Sequence, residues 1–230
     1  MQATIARLRH RLIVSAQAMD PRSPLKRPET LVLLALAAEL GGAGGFRVDG
    51  AEVVRLLRAE TALPIIGIVK DRREGFDNYI TTTIPDITAL AEAGADIVAI
   101  QATAGSRPGP AVAELIGEAH RLGLAAMADI ATLAEAEAAI AAGADLVATT
   151  MVGFTPASKG MARPPLELTR QLVALGVPAI VEGGVWTPEH VRASLAAGAH
   201  AVVSGSAITA PDLIVRHMLE GAGLAGSAEG

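Results

Sequence analysis

The sequence predicts a single (β/α)8 barrel, and three observations carry the prediction. Eight apolar runs of strand length alternate with Ala-rich stretches of helical length. The 230 residues are long for an ordinary domain but normal for a barrel, which folds as one unit at this size. A short turn motif recurs where helix gives way to strand, as Ala93-Gly94-Ala95-Asp96, Ala142-Gly143-Ala144-Asp145 and Ala197-Gly198-Ala199-His200. Strands separated by helices imply parallel βαβ units, and eight such units favour closure over an open sheet.

Taken in order, the first strand is expected at Leu12–Ala16. The stretch from Arg7 to Ala18 mimics a signal peptide, but its apolar part is too short and Gln17 interrupts it. A helix over Glu29–Leu40 leads to a strand at Gly44–Val48, and a helix over Glu52–Glu60 to a strand at Pro64–Lys70. The pattern continues with helix Pro85–Ala93 and strand Asp96–Ile100, then helix Pro110–Leu122 and strand Ala125–Asp129. Helix Leu133–Ala142 precedes strand Asp145–Thr149, and helix Leu166–Leu175 precedes strand Pro178–Glu182. Helix Pro188–Ala197, strand Ala201–Ser204 and a last helix from about Pro211 complete the set. Glycine just past a helix end caps it in the left-handed conformation. The recurrent motif therefore reads as turn chemistry at the bottom of the barrel, the end that serves stability.

Residues 1–221 are thus expected to form one catalytic barrel. The Gly/Ala/Ser-rich stretch 222–230 is expected to form a flexible tail. Three connections are too long for minimal turns: Met19–Pro28, Asp71–Thr83 and Thr150–Pro165. All three follow strand ends, on the face where barrels place their chemistry, and the second is expected to form a small hairpin.

Composition narrows the partners. The chain is 51% hydrophobic but 2% aromatic, so the core is built from Ala, Val, Ile and Leu, which suit parallel strands covered on both faces. A formal charge of −5, with both signs interspersed, gives no electrostatic reason to expect nucleic acid. Without cysteine there is no disulfide or thiol chemistry. No apolar run approaches a membrane span, so the expectation is a cytoplasmic protein with no membrane partner. The five histidines show no metal-ligand spacing and are expected as solvated helix or turn residues, so no metal is expected.

The chemistry-bearing residues close the strands. Gln17 follows the first strand, Arg47 ends the second, Lys70 the third, Asp129 the fifth and Glu182 the seventh, while Gln101 follows the fourth. A polar residue that ends a barrel strand points toward the catalytic mouth. Any one of them could belong to a structural ion network, but Lys70, Asp129 and Glu182 together favour a site. The seventh and eighth strands run into Gly183-Gly184 and Gly205-Ser206. In this fold those two loops, with the start of a short helix, commonly bind phosphate through backbone N–H groups.

At this point the chain resembles the N-acetylmannosamine-6-phosphate 2-epimerases. The resemblance runs from Leu12 to about Pro211 through Leu12-Ile13-Val14-Ser15-Ala16-Gln17-Ala18, Gly44-Gly45-Phe46-Arg47 and Pro64-Ile65-Ile66-Gly67-Ile68-Val69-Lys70. Further matches are Ala89 to Asp96, Met127-Ala128-Asp129-Ile130 and Ala207-Ile208-Thr209. It implies an isomerase of sialic acid breakdown that uses no cofactor and no metal. It casts Lys70 and Glu182 as the acid–base pair, with Gln17, Arg47 and Asp129 positioning a sugar phosphate. The sequence departs from the family at Ala16 (where Cys is expected), Thr82 (Pro), Gln101 (Asp) and Gly184, a position often larger and polar. Gln101 is accordingly expected in the mouth, as a neutral substrate-binding amide. Two rival readings of the same residues are a Schiff-base aldolase with Lys70 as nucleophile and a non-catalytic sugar-phosphate binder. A homodimer is a further expectation.

Overall fold

Alternation along each strand decides which side chains face the barrel axis and which face the helices. The computed structural model describes residues 1–18, 20 and 22–224. Its strands are β1 (Leu12–Ala16), β2 (Gly45–Asp49), β3 (Ile65–Ile68), β4 (Ile97–Gln101), β5 (Ala125–Asp129), β6 (Leu146–Ala148), β7 (Ala179–Glu182) and β8 (Ala201–Ser204). Each pairs in parallel with the next, and β8 returns to β1 through Leu12↔Val202, closing the barrel. The helices are α1 (Gln2–Arg7), α2 (Pro28–Leu40), α3 (Ala51–Glu60), α4 (Ile84–Glu92), α5 (Val112–Arg121), α6 (Leu133–Ala141), α7 (Leu166–Ala174), α8 (Pro188–Ala196), α9 (Ser206–Thr209) and α10 (Pro211–Gly221). None of these helices is long and apolar enough to cross a membrane.

One set of buried residues fills the axis: Ile13, Ile66, Ile68, Ile97, Ala99, Ala125, Met127, Leu146, Ala148, Ile180, Ala201 and Val203. Their strand neighbours, among them Val14, Phe46, Val48, Val98, Ala126 and Val147, pack outward against the helices. Two apolar sets interleaved with period two are what a sheet buried on both faces requires.

All eight expected strands are present; β1, β5 and β8 keep their expected bounds, and the others differ by one or two residues at an end. The largest difference is at β3, which stops at Ile68 rather than Lys70. Val69 N–H donates instead to Thr81 Oγ1 and Lys70 N–H to Asp49 Oδ1, and Lys70 pairs with Ile80 in an antiparallel bridge. The long connection after β3 is therefore a small hairpin, as its length suggested. Helix α1 lies outside the expected elements. It is six residues long and closes the bottom of the barrel, where Ile5 and Leu8 join the axial cluster. The expected tail lies, from residue 225 on, outside the described residues.

The recurrent turn behaves as structural punctuation. Gly94, Gly143 and Gly198 adopt φ of 93°, 102° and 97°. The aspartates that follow reach back across to the preceding strand. Asp96 Oδ2 accepts Ile65 N–H at 2.9 Å, and Asp145 Oδ2 accepts Ala126 N–H at 2.8 Å. This corrects the expectation for the histidines. His120 Nε2 lies 2.8 Å from the same Asp145 oxygen, His200 Nε2 lies 2.8 Å from Ile5 O, and His190 Nδ1 accepts Trp186 N–H. These three are half-buried and structurally engaged, because each stands where an element end needs a polar partner. His10 and His217 are exposed, and His217 stacks on Trp186 with centroids 4.5 Å apart.

Candidate active site

Continuing the axial parity beyond the apolar layers generates the site. Two residues past Ile68 stands Lys70, and two past Ala148 stands Thr150. Two past Met127 is Asp129, and two past Ile180 is Glu182. Arg47 lies on β2 opposite Ser15 in register. At this end a cavity of about 310 Å³ opens, lined by Ser15, Gln17, Arg47, Lys70, Thr150 and Glu182 along with both glycine loops.

Its floor is an ion cluster. Arg47 is fully buried and shared between two carboxylates. Nη2 donates to Asp129 Oδ2 at 2.6 Å, and Nη1 donates to Glu182 Oε2 and, at 2.9 Å, to Thr150 Oγ1. Thr150 Oγ1 in turn donates to Asp129 Oδ1 at 2.7 Å. Glu182 is held through its backbone as well, since its N–H and C=O both engage Thr149 Oγ1. Asp129 is completely buried, and burial pushes its carboxyl up to about 6 against the opposing pull of Arg47. For Arg47, burial would lower the pKa, but Asp129 and Glu182 outweigh it and the shift is upward.

Lys70 reaches the cavity from the opposite wall. Its Nζ donates to Gln17 Oε1, and Gln17 Nε2 donates to Ser15 Oγ at 2.7 Å. Burial, and next the Arg47 charge, lower the Lys70 pKa below its ordinary 10.5. Asp49, beneath it, is pushed up by burial. In an eight-stranded ring β3 and β7 lie four strands apart, so Lys70 and Glu182 face each other across the cavity.

The remaining expected residues divide. Gly183, Gly184, Gly205 and Ser206 all line the cavity. The first helical bonds of α9 return to Gly205 O from Ile208 and Thr209, leaving the N–H groups of Ser206 and Ala207 ahead of the ladder. A Cβ on Gly205 would come within 3.0 Å of Ser15 Cβ, so glycine lets β8 meet β1 at this point. Asp129 lies below the cavity and reaches it through Arg47 and Thr150. Gln101 is not in the mouth. It is buried, with Oε1 accepting Tyr79 N–H at 2.9 Å and Ile80 N–H at 3.3 Å, while Nε2 donates to Thr103 Oγ1 at 2.8 Å. Its amide therefore fastens the β3 hairpin, and the expectation that it faces the mouth is corrected: Gln101 is not among the residues lining the cavity.

Sequence reasoning missed Thr150, Arg72, Tyr79 and Arg163, all of which line the cavity. The axial parity of β6 could have found Thr150. Arg72, whose guanidinium lies 3.6 Å from the Tyr79 ring centroid, and Arg163 sit in irregular loops where no periodicity singles them out.

Residues 31–222 match the family described as "Putative N-acetylmannosamine-6-phosphate epimerase". The chain belongs to this family. A relative from Caldanaerobacter subterraneus, described as "Putative N-acetylmannosamine-6-phosphate 2-epimerase", is 40% identical over 94% of this chain and 92% of its own length. The "Bifunctional enzyme NanE/NanK" of Brucella melitensis is 45% identical over 93% of this chain, which spans 41% of that enzyme's length. The structure of the N-acetylmannosamine-6-phosphate 2-epimerase from Clostridium perfringens superposes with a TM-score of 0.90 at 36% identity, covering 94% of this chain and 95% of that one. A thiamine phosphate pyrophosphorylase from Pyrococcus furiosus shares the fold alone, with a TM-score of 0.61 at 19% identity.

Proposed function

We propose that the chain interconverts N-acetylmannosamine 6-phosphate and N-acetylglucosamine 6-phosphate by moving a proton at C2. The observation that carries this reading is the placement of Lys70 and Glu182 on opposite walls of one cavity. Inversion at a carbon needs a base on one face and an acid on the other. In the open-chain sugar the C2 proton is acidified by the neighbouring aldehyde. One group removes it, giving an enolate, and the group across the cavity returns a proton to the other face. In the reverse direction the two exchange roles. The lowered pKa of Lys70 suits it to both duties, since it yields and takes a proton closer to neutral pH than a solvated lysine. Gln17 sets the position of the Lys70 amine, and Arg47, braced by Asp129 and Thr150, sets that of the Glu182 carboxylate. The glycine loops receive the phosphate.

The test is a proton NMR time course of N-acetylmannosamine 6-phosphate with the protein in deuterium oxide. The C2 proton signal should disappear as the epimer accumulates. A sugar that keeps both its configuration and its C2 proton rejects the assignment. Borohydride reduction onto Lys70 in the presence of substrate would favour the aldolase instead.

The same reading places the protein in the cytoplasm, where a phosphorylated sugar is retained, and makes it a homodimer. Support for the dimer comes from α10, which buries no residue within the chain and leaves Met218 68% and Val215 55% exposed. Sedimentation equilibrium at the monomer mass would exclude it.

A further inference from the structure

The rim of the cavity carries an arginine that neither the acid–base pair nor the glycine loops require. Arg163 comes from the long loop after β6 and lines the cavity together with Gly183, Gly184, Gly205 and Ser206. A Cβ on Gly184 would lie 2.5 Å from Arg163 Cβ and 2.8 Å from its backbone carbon, so the two loops touch there. Gly184 also has φ of 74°, which a side chain would strain. The sequence departure at Gly184 thus has a physical counterpart: the space a side chain would take at 184 is occupied by Arg163. From there the side chain passes Gly183, its Cδ 3.9 Å from where a Cβ on that glycine would lie. The guanidinium ends 5.0 Å from the Phe154 ring centroid, and Phe154 is itself 63% exposed. Among the described residues, no protein group accepts a hydrogen bond from the Arg163 guanidinium or pairs with it.

We propose that Arg163 is a ligand of the substrate's phosphate, closing over the group that the glycine loops cradle. The inference rests on reading the cavity as a sugar-phosphate site. Backbone N–H groups are neutral donors, whereas a phosphate monoester carries about −1.5 to −2 charges at pH 7, and the chain as a whole is at −5. A cation beside the loops would offset that charge and add charge-assisted bonds to the neutral backbone donors. The other lining cations are placed elsewhere: Arg47 is held by two carboxylates, Lys70 stands at the reacting end, and Arg72 lies on Tyr79 in the β3 hairpin. Arg163 is the lining cation that abuts the Gly183-Gly184 loop. A guanidinium is planar and offers two parallel N–H bonds to phosphate, and a ring face beside it limits its rotation before the ligand arrives. That gives the exposed Phe154 a purpose at the mouth.

The test uses inorganic phosphate as probe, titrated calorimetrically into the parent, Arg163→Ala and Arg163→Lys proteins, with circular dichroism confirming the fold of each. Arg163→Ala should weaken phosphate binding about 10- to 100-fold, the range of a lost charge-assisted hydrogen bond or pair of them. Arg163→Lys should recover part of the loss, keeping the charge without the fork. With the sugar phosphate, KM should rise in Arg163→Ala by a similar factor. Equal phosphate affinity in the parent and Arg163→Ala, or no phosphate binding by the parent, overturns the proposal. Arg163-dependent binding in a protein that exchanges no C2 proton would leave the phosphate ligand standing and remove only the epimerase reading.

Discussion

At the scale of single residues, the site turns on how one guanidinium divides itself. Arg47 holds Glu182 with one nitrogen and Asp129 with the other, and its charge also acts on Lys70 at the end of the neighbouring strand. Lys70→Ala and Glu182→Gln should each preserve the fold and lower kcat by about 10²–10⁴-fold, the usual contribution of a general acid or base. Near-parent turnover in either purified variant would remove that residue from the chemistry. A pH profile adds a second check. For the direction in which Lys70 is the base, it must be neutral, so kcat/KM rises with pH until the lowered Lys70 pKa is passed. Arg47→Gln deletes a charge that depresses this pKa, so the limb should move to higher pH. A limb that stays put would mean that another group controls it. The placement of Lys70 and Glu182 at the cavity was legible in the sequence because each closes an apolar run that fixes the direction of its side chain. Arg163 was not, since a loop carries no such rule and its position depends on contact with Gly184.

At the scale of elements, the β3 hairpin shows where strand-end reasoning stops. The expectation that Gln101 faces the mouth took account of sequence position but not of the neighbouring loop. Tyr79 and Ile80 N–H point at its carbonyl oxygen, so the side chain is recruited to fasten the hairpin. Gln101→Ala strands these donors and should cost about 1–3 kcal/mol, the penalty for a buried group left without a partner. Hydrogen exchange should speed up at Tyr79 and Ile80 first, and an unchanged exchange pattern would contradict the fastening role. The strand ends themselves were read to within two residues at every strand, because axial and outward apolar sets alternate so regularly. The 3-10 turn over Pro156–Ser158 carried no such pattern. Helix α1 escaped for a different reason. Six residues, with Ile5 inside the helix and Leu8 just past its end as the apolar anchors, give too short a period to recognise.

At the scale of the whole molecule, that short helix is the stopper of the barrel. Leu8 is completely buried against the start of β2, where a Cβ on Gly45 would lie 2.9 Å from it. Leu8→Ala should therefore destabilise the barrel by about 2–5 kcal/mol, as other buried leucine truncations do. A urea midpoint within error of the parent would show that the bottom closes without it.

The two ends of the ligand would also meet very different surroundings. Lys70, Arg47, Asp129 and Glu182 form a set of two positive and two negative charges when all are ionised, Arg47 and Asp129 buried and Lys70 and Glu182 at the cavity wall. A proton taken from C2 by one wall and returned by the other leaves the sum of these charges unchanged. Arg163 stands exposed at the rim, where anions from solution compete freely for its guanidinium. Adding sodium chloride should therefore raise KM for the sugar phosphate while leaving kcat level. A kcat that fell with salt would mean that the chemical step is open to bulk electrolyte.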